Sequence, residues 1–170
     1  MISVKWLEAI GNNEMINQCE GTLRVRGFKK NLTRFFLDGL LTMRTFNEPN
    51  KLKLNDHGDI IYSDKELPHY CWIRRTWGGI ICFNKIPLSQ FKDDDPITLY
   101  FDVYFDREVH PIQLQMICKK YGIDLRVYVF EQNDEFEQEI EIRNGKVIKD
   151  VKITHDGDVL NNIHPTLGGK

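Results

Sequence analysis

At 170 residues, with 41% apolar and 28% charged side chains, the chain has the composition of a globular domain large enough to bury a core. No apolar run approaches the roughly 20 residues that span a bilayer, and Met1-Ile2-Ser3-Val4-Lys5-Trp6 lacks the charged-then-apolar layout of a signal peptide, so a cytoplasmic protein with no membrane partner is expected. The net charge of −2 conceals an asymmetry, 13 Lys and Arg against 9 Asp and Glu in residues 1–85 and 10 against 16 in residues 86–170, which argues against a generic basic nucleic-acid binder and for a specific protein partner.

Ser3–Ile10 reads as a short helix with Gly11 as its stop. Thr22–Arg26 reads as a strand with Leu23 and Val25 inward and Arg24 and Arg26 outward. Asn31 then suits the cap of a helix through Leu41, with Leu32, Phe35, Phe36 and Leu40 on one face, and Leu41–Phe46 follows as a strand. Residues 47–95 form an insert too long for a simple connection. Within it, Asn55-Asp56-His57-Gly58 is a turn, Asp59–Ser63 a short strand, and Tyr70–Phe83 a hairpin or bent strand around Gly78-Gly79.

Ile97–Phe130 carries the clearest pattern in the chain. Leu99, Phe101, Val103 and Phe105 alternate with polar or aromatic neighbours, which marks a strand. Pro111 opens a helix, Leu114, Ile117, Cys118 and Tyr121 make one apolar stripe along it, and Gly122 fits a left-handed cap. Leu125, Val127 and Val129 restart the period of two. Glu137–Arg143 and Lys146–Thr154 read as a hairpin turned by Asn144-Gly145. Residues 155–170 read as a loose tail. Two strand–helix–strand units predict an α+β fold, a ferredoxin-like βαββαβ sandwich with a long central insert (47–95) and an extra C-terminal β-hairpin, as one domain over 1–170 with its core in 19–154.

Catalytic chemistry finds no footing: no GxSxG, HExxH or P-loop pattern occurs. His57 with Asp56 and Asp59, and His155 with Asp156 and Asp158, lack metal-ligand spacing and are explained as turns. His110 reads as a helix-start residue. Cys118 lies on an apolar stripe, where a thiol is inert. With Cys19, Cys71 and Cys82 it shows no CxxC spacing, and buried thiols in a reducing compartment are expected. No catalytic residue, metal or cofactor is therefore assigned.

Two binding surfaces compete. In the first, Glu137, Glu139 and Glu141 project from one strand face at about 6.6–6.8 Å intervals and, with Glu131, Asp134 and Glu135, make an acidic strip that would compete for a basic nucleic-acid channel in a protein partner. Lys146, Lys149 and Lys152 are the nearby charges that would neutralise such a strip across the hairpin. In the second, Arg24, Arg26, Tyr100, Tyr104, Arg126, Tyr128 and Phe130 share the sheet face away from the helices. There arginines would hold phosphates and aromatics would stack bases of RNA or single-stranded DNA. The insert or the C-terminal hairpin is expected to cover part of that face. Trp72 and Trp77 offer aromatic anchors within the insert.

Cys19-Glu20-Gly21-Thr22-Leu23-Arg24-Val25-Arg26-Gly27 resembles the Cys-x-Asn-x-Leu-x-Val-x-Gly opening of the YubB-type ferredoxin-like domains of plasmids and prophages. Trp77-Gly78 looks like that family's central Trp-Gly. Phe101-Asp102 with Pro111, and the stretch around Tyr128, Glu131, Phe136 and Asn144-Gly145, look like its closing half. The chain departs from the pattern at Gly21, where the family has Asn, in lacking the second Trp, and in reducing Pro-Pro to His110-Pro111. The resemblance implies a mobile-element origin and transfers no catalytic residue. In a phage or plasmid context the acidic strip implies an inhibitor of a host defence protein or ribonucleoprotein complex, anti-CRISPR proteins being the example. That inhibitor is the expected function, and a nucleic-acid-binding accessory protein using the sheet face is the alternative.

Overall fold

Alternation along Cys19–Gly27 turns Leu23 and Val25 to a face where both are fully buried, and Thr22 and Arg26 to the opposite, exposed face. This strand, β1, is the middle of the sheet. The computed structural model describes residues 19–42, 52–62, 70–73, 79–83, 85–105, 108–131 and 136–155. The helix expected at Ser3–Ile10, together with Trp77, Asp134, Glu135 and the tail beyond residue 155, lies outside them.

Helix α1 (Lys29–Gly39) follows β1 and leads into β2 (Leu40–Thr42), one residue earlier than its apolar spacing predicts. The insert contributes β3 (Leu52–Leu54), β4 (Ile60–Tyr62), β5 (Tyr70–Ile73), β6 (Gly79–Cys82) and β7 (Lys85–Ile86). Then come β8 (Ile97–Phe105), α2 (Pro111–Tyr121), β9 (Asp124–Glu131), β10 (Phe136–Arg143) and β11 (Lys146–Thr154). The large sheet is antiparallel with strand order β11-β10-β9-β1-β8-β6-β5-β2. Its long members, β11 through β8, make a continuous five-stranded ribbon, and short β6, β5 and β2 extend it to eight strands. A second sheet of three strands, ordered β3-β4-β7, packs against α1.

The two helices lie side by side. The Phe35 ring meets the Tyr121 ring edge-on at 5.7 Å, and Asn31 Nδ2 donates to the Gly122 carbonyl at 3.0 Å. Asn31 was expected to cap α1. The helix instead begins at Lys29, after an extended Phe28 and without a side-chain cap, so the Asn31 amide is free to tie α1 to the end of α2. The second helix follows its signals: Pro111 stands in the first turn, Lys119 and Lys120 in the last, and Gly122 takes the left-handed conformation at φ 65°. Leu32, Phe35, Phe36, Val103, Leu114, Leu125 and Val127 form one buried cluster, with Leu99, Phe101 and Ile117 packed on its margin. The Phe36 ring stands 4.9 Å from that of Phe35 and 5.5 Å from that of Phe101.

Of two features of the insert, the first differs from expectation and the second follows it. First, none of its described strands roofs the sheet. β5 and β6 enter the sheet between β8 and β2, so β8 pairs with β6 and the four strands of a minimal βαββαβ unit are not contiguous. Two added antiparallel strands preserve the relative direction of β1 and β2, which is why the insertion is compatible with the helix pair. Second, the turn at residues 55–58 is organised by Asn55, whose Oδ1 accepts from the backbone N–H of His57 and Asp59 at 3.0 and 2.9 Å. Asp59 is buried and ties the start of β4 to β7 through Lys85 Nζ at 2.7 Å and the Ser89 N–H at 2.8 Å.

Candidate nucleic-acid interface

Pairing registers decide which side chains meet on the face away from the helices. Reading across β8, β1, β9, β10 and β11, one row is Tyr100, Arg24, Arg126, Glu141, Lys149. The next is Asp102, Thr22, Tyr128, Glu139, Val151, and the next Tyr104, Glu20, Phe130, Glu137, Ile153. The acidic strip and the arginine–aromatic face are therefore neighbours on one surface, because β10 pairs directly with β9.

Being neighbours, they neutralise each other. Glu139 Oε1 accepts from Arg126 Nε and Nη2 at 2.8 and 2.7 Å, and its Oε2 lies 2.5 Å from Lys149 Nζ. The Lys149 hydrogen bond is the main force holding the Glu139 carboxyl below the ordinary carboxylate range, with the Arg126 hydrogen bond and both positive charges adding to it against the cost of burial. Glu141 Oε1 pairs with Arg143 Nη2 at 2.5 Å on the same strand. Glu137 accepts from the Tyr128 hydroxyl and stands 2.6 Å from His155 Nε2. Burial, and then the hydrogen bond to Glu137, push the Tyr128 phenol up to about 12. All three carboxylates are mostly covered, at 17–19% side-chain exposure. Glu131 leaves the strip altogether: it sits one residue out of phase with the outward positions of β9 and is buried on the helix side. Of the expected neutralising lysines only Lys149 serves. Lys152 turns to the other face, onto Glu108 at 2.7 Å and over the Phe136 ring at 4.1 Å.

The arginines gather at one end of this face. Arg24, Arg26, Arg126 and Arg143 surround a hollow of about 250 Å³, with Asp124, Leu125, Glu141 and Ile142 completing its wall. Arg24 and Arg126 are direct cross-strand partners, an arrangement of like charges that favours an anion between them. Arg26 reaches Asp124 only at 3.9 Å. Arg24 has no carboxylate partner among the described residues, and its guanidinium lies 5.9 Å from the centre of the Tyr100 ring. Tyr100 is 69% exposed, the posture of a stacking platform. Tyr104, Tyr128 and Phe130 are half-buried on the same face. The expected cover is not what the described elements provide: both helices lie behind the sheet, the small sheet packs on α1, and β5, β6, β10 and β11 lengthen the sheet.

Arg143 was missed in the sequence. The period of two that aligned Glu137, Glu139 and Glu141 also includes it, but its place beside Arg26 and Asp124 requires the β9–β10 pairing. The other candidates resolve into structure. His57 is exposed in its turn, and Asp59 is held by Lys85 and Ser89. His155 approaches Glu137, and Asp156 and Asp158 lie outside the described residues. No group of three or more His, Cys, Asp or Glu placed to hold a metal occurs among the described residues. Burial pushes the Cys118 thiol up to about 12, so it stays protonated at neutral pH. No helix among the described residues is long and apolar enough to cross a membrane. No family model, curated protein or solved structure matches the chain.

Proposed function

We propose that this protein is a non-enzymatic binding module whose outward sheet face takes single-stranded nucleic acid. The observation that carries this reading is the convergence of four arginines on one hollow beside the exposed ring of Tyr100. Phosphates would sit between Arg24, Arg26 and Arg126 while a neighbouring base stacks on Tyr100, the combination of backbone charge and sequence-tolerant stacking that single strands require. The order and directions of β1, α1, β2, β8, α2 and β9, opened by the β5–β6 hairpin, support reading the frame beneath as a ferredoxin-like βαββαβ unit. The resemblance of β1 and of the closing half to YubB-type domains supports that frame and a mobile-element origin.

The test is fluorescence anisotropy of labelled single-stranded DNA and RNA as a function of salt. Wild-type affinity should fall with the logarithm of salt concentration at a slope of about −0.7 per phosphate neutralised. Arg24→Ala should lessen that slope, since Arg24 bonds no carboxylate whose release would disturb the fold. Tyr100→Ala should lose about 1–3 kcal/mol of binding. Absence of binding at low salt to either nucleic acid refutes the reading. A second reading, inhibition of a host defence complex such as a CRISPR effector, is favoured by the in-line carboxylates of β10. It requires a partner able to displace Arg126, Lys149 and Arg143 from Glu139 and Glu141. Capture of a nucleic-acid-binding protein that guide RNA competes away would favour it over the first.

A further inference from the structure

Strand β11 ends the large sheet, and its outer edge has no strand partner among the described residues. It runs nine residues, Lys146–Thr154, without proline or glycine. Such an edge is a template for another strand unless charge, proline or a covering element blunts it. Lysines are the usual guard, and three are present, yet two are turned away from the edge. Lys149 is drawn back onto Glu139 at 2.5 Å and Lys152 onto Glu108 at 2.7 Å. Beside the exposed Lys146 and Asp150 the strand bares apolar surface: Val147, Ile148, Val151 and Ile153 are four of the nine large hydrophobic side chains exposed among the described residues.

We infer that β11 pairs antiparallel with β11 of a second copy of this chain, joining the two large sheets edge to edge around a twofold axis at Val151. The sequence of the strand is self-complementary in that register. Val151 meets Val151 of the other copy and Ile153 meets the stem of Lys149 on the outward face. On the helix-side face each Asp150 meets Lys152. Asp150 is exposed and has no charged partner among the described residues, so the second copy supplies the cation it lacks. Lys152, already beside Glu108, would then lie between two carboxylates. A twofold axis satisfies both copies with the same patch and closes the assembly at two, leaving no free β11 edge to propagate. This inference is independent of the nucleic-acid reading, because neither Val151 nor Asp150 borders the arginine hollow.

The test is the molar mass of the full chain by light scattering after gel filtration over a range of concentrations. A dimer is expected. Asp150→Lys, which breaks no ion pair described within its own copy, should weaken dimerisation by about tenfold or more, by facing Lys152 with a like charge. Val151→Cys should cross-link into a dimer under mild oxidation and return to monomer with a reductant, since the two positions face each other across the axis. Circular dichroism of both variants confirms an unchanged fold. A wild-type chain that is monomeric at every concentration overturns the inference. So does a dimer that is indifferent to Asp150→Lys and fails to cross-link through Val151→Cys, whether the partner surface is elsewhere or the edge is covered by the chain's own residues.

Discussion

Reversing the three carboxylates of β10, Glu137→Lys, Glu139→Lys and Glu141→Lys together, separates a docking strip from a structural network. Were the strip merely solvated, the fold would tolerate the change. The structure says otherwise, and the magnitude follows from its contacts. Glu139 receives Arg126 and Lys149, Glu141 receives Arg143, and Glu137 receives Tyr128 and His155. The cations are roughly half exposed, Arg126 at 47% and Lys149 at 41%, so each lost ion pair is discounted to about 0.2–1 kcal/mol. The reversal also sets new lysines against Arg126, Lys149 and Arg143, and each like-charged cross-strand contact costs about 0.2–1 kcal/mol more. Together the triple variant should lose about 2–5 kcal/mol, a large share of the roughly 5–15 kcal/mol available to a domain. Urea unfolding followed by circular dichroism at neutral pH measures it. The midpoint should fall while the slope with denaturant stays as in wild type. Added salt, by screening the introduced repulsion, should narrow the gap between the two proteins. A triple variant with the wild-type midpoint would refute the network and return the strip to free solvent. The single Glu139→Gln variant, which deletes charge without reversing it, should stand between.

Three further outcomes test the fold. Phe36→Ala empties a fully buried site between Phe35 and Phe101 and should cost about 3–5 kcal/mol in the same unfolding assay. Gly21→Ala would place a Cβ 2.0 Å from the Tyr128 carbonyl oxygen and 2.8 Å from Val129 Cα, so β9 must move; about 1–3 kcal/mol of destabilisation is expected, and wild-type stability would contradict the β1–β9 register. Asp59 is held far below the ordinary carboxylate range, first by the hydrogen bond from Lys85 and then by Ser89. Its contribution is complete above its unfolded pKa of about 3.9 and is lost as pH falls below that toward the folded value. Acid melts should accordingly show wild type losing stability below about pH 4 more steeply than Asp59→Asn.

The lack of a side chain at Gly21 has a physical counterpart in the sheet. The position faces the backbone of β9 closely enough that a side chain of any size displaces it. Gly here lets β1 and β9 lie nearer than a side chain in the same backbone would allow.

Local signals determined the parts of this protein whose energetics are local. The period of two gave β1, β8, β9 and the β10–β11 hairpin, since burying one face of a strand requires it. Pro111, Gly122 and Asn144-Gly145 acted through backbone geometry alone, the last with φ 49° and 67°. The apolar stripes of α1 and α2 foretold the shared core of Phe35, Phe36, Leu114 and Leu125. Beyond the β10–β11 hairpin, which strand lies beside which was decided only by tertiary structure. The sequence could show Glu139 and Arg126 each facing outward, but not that β9–β10 pairing sets them 2.7 Å apart and joins two separate surfaces into one. Nor could it show β5 and β6 entering the sheet instead of roofing it, because a short apolar strand buries its face equally well in either place. Asn31 makes the same point on the scale of one side chain: its amide suits a helix cap, and a carbonyl ninety-one residues away, brought close by helix packing, claimed it instead.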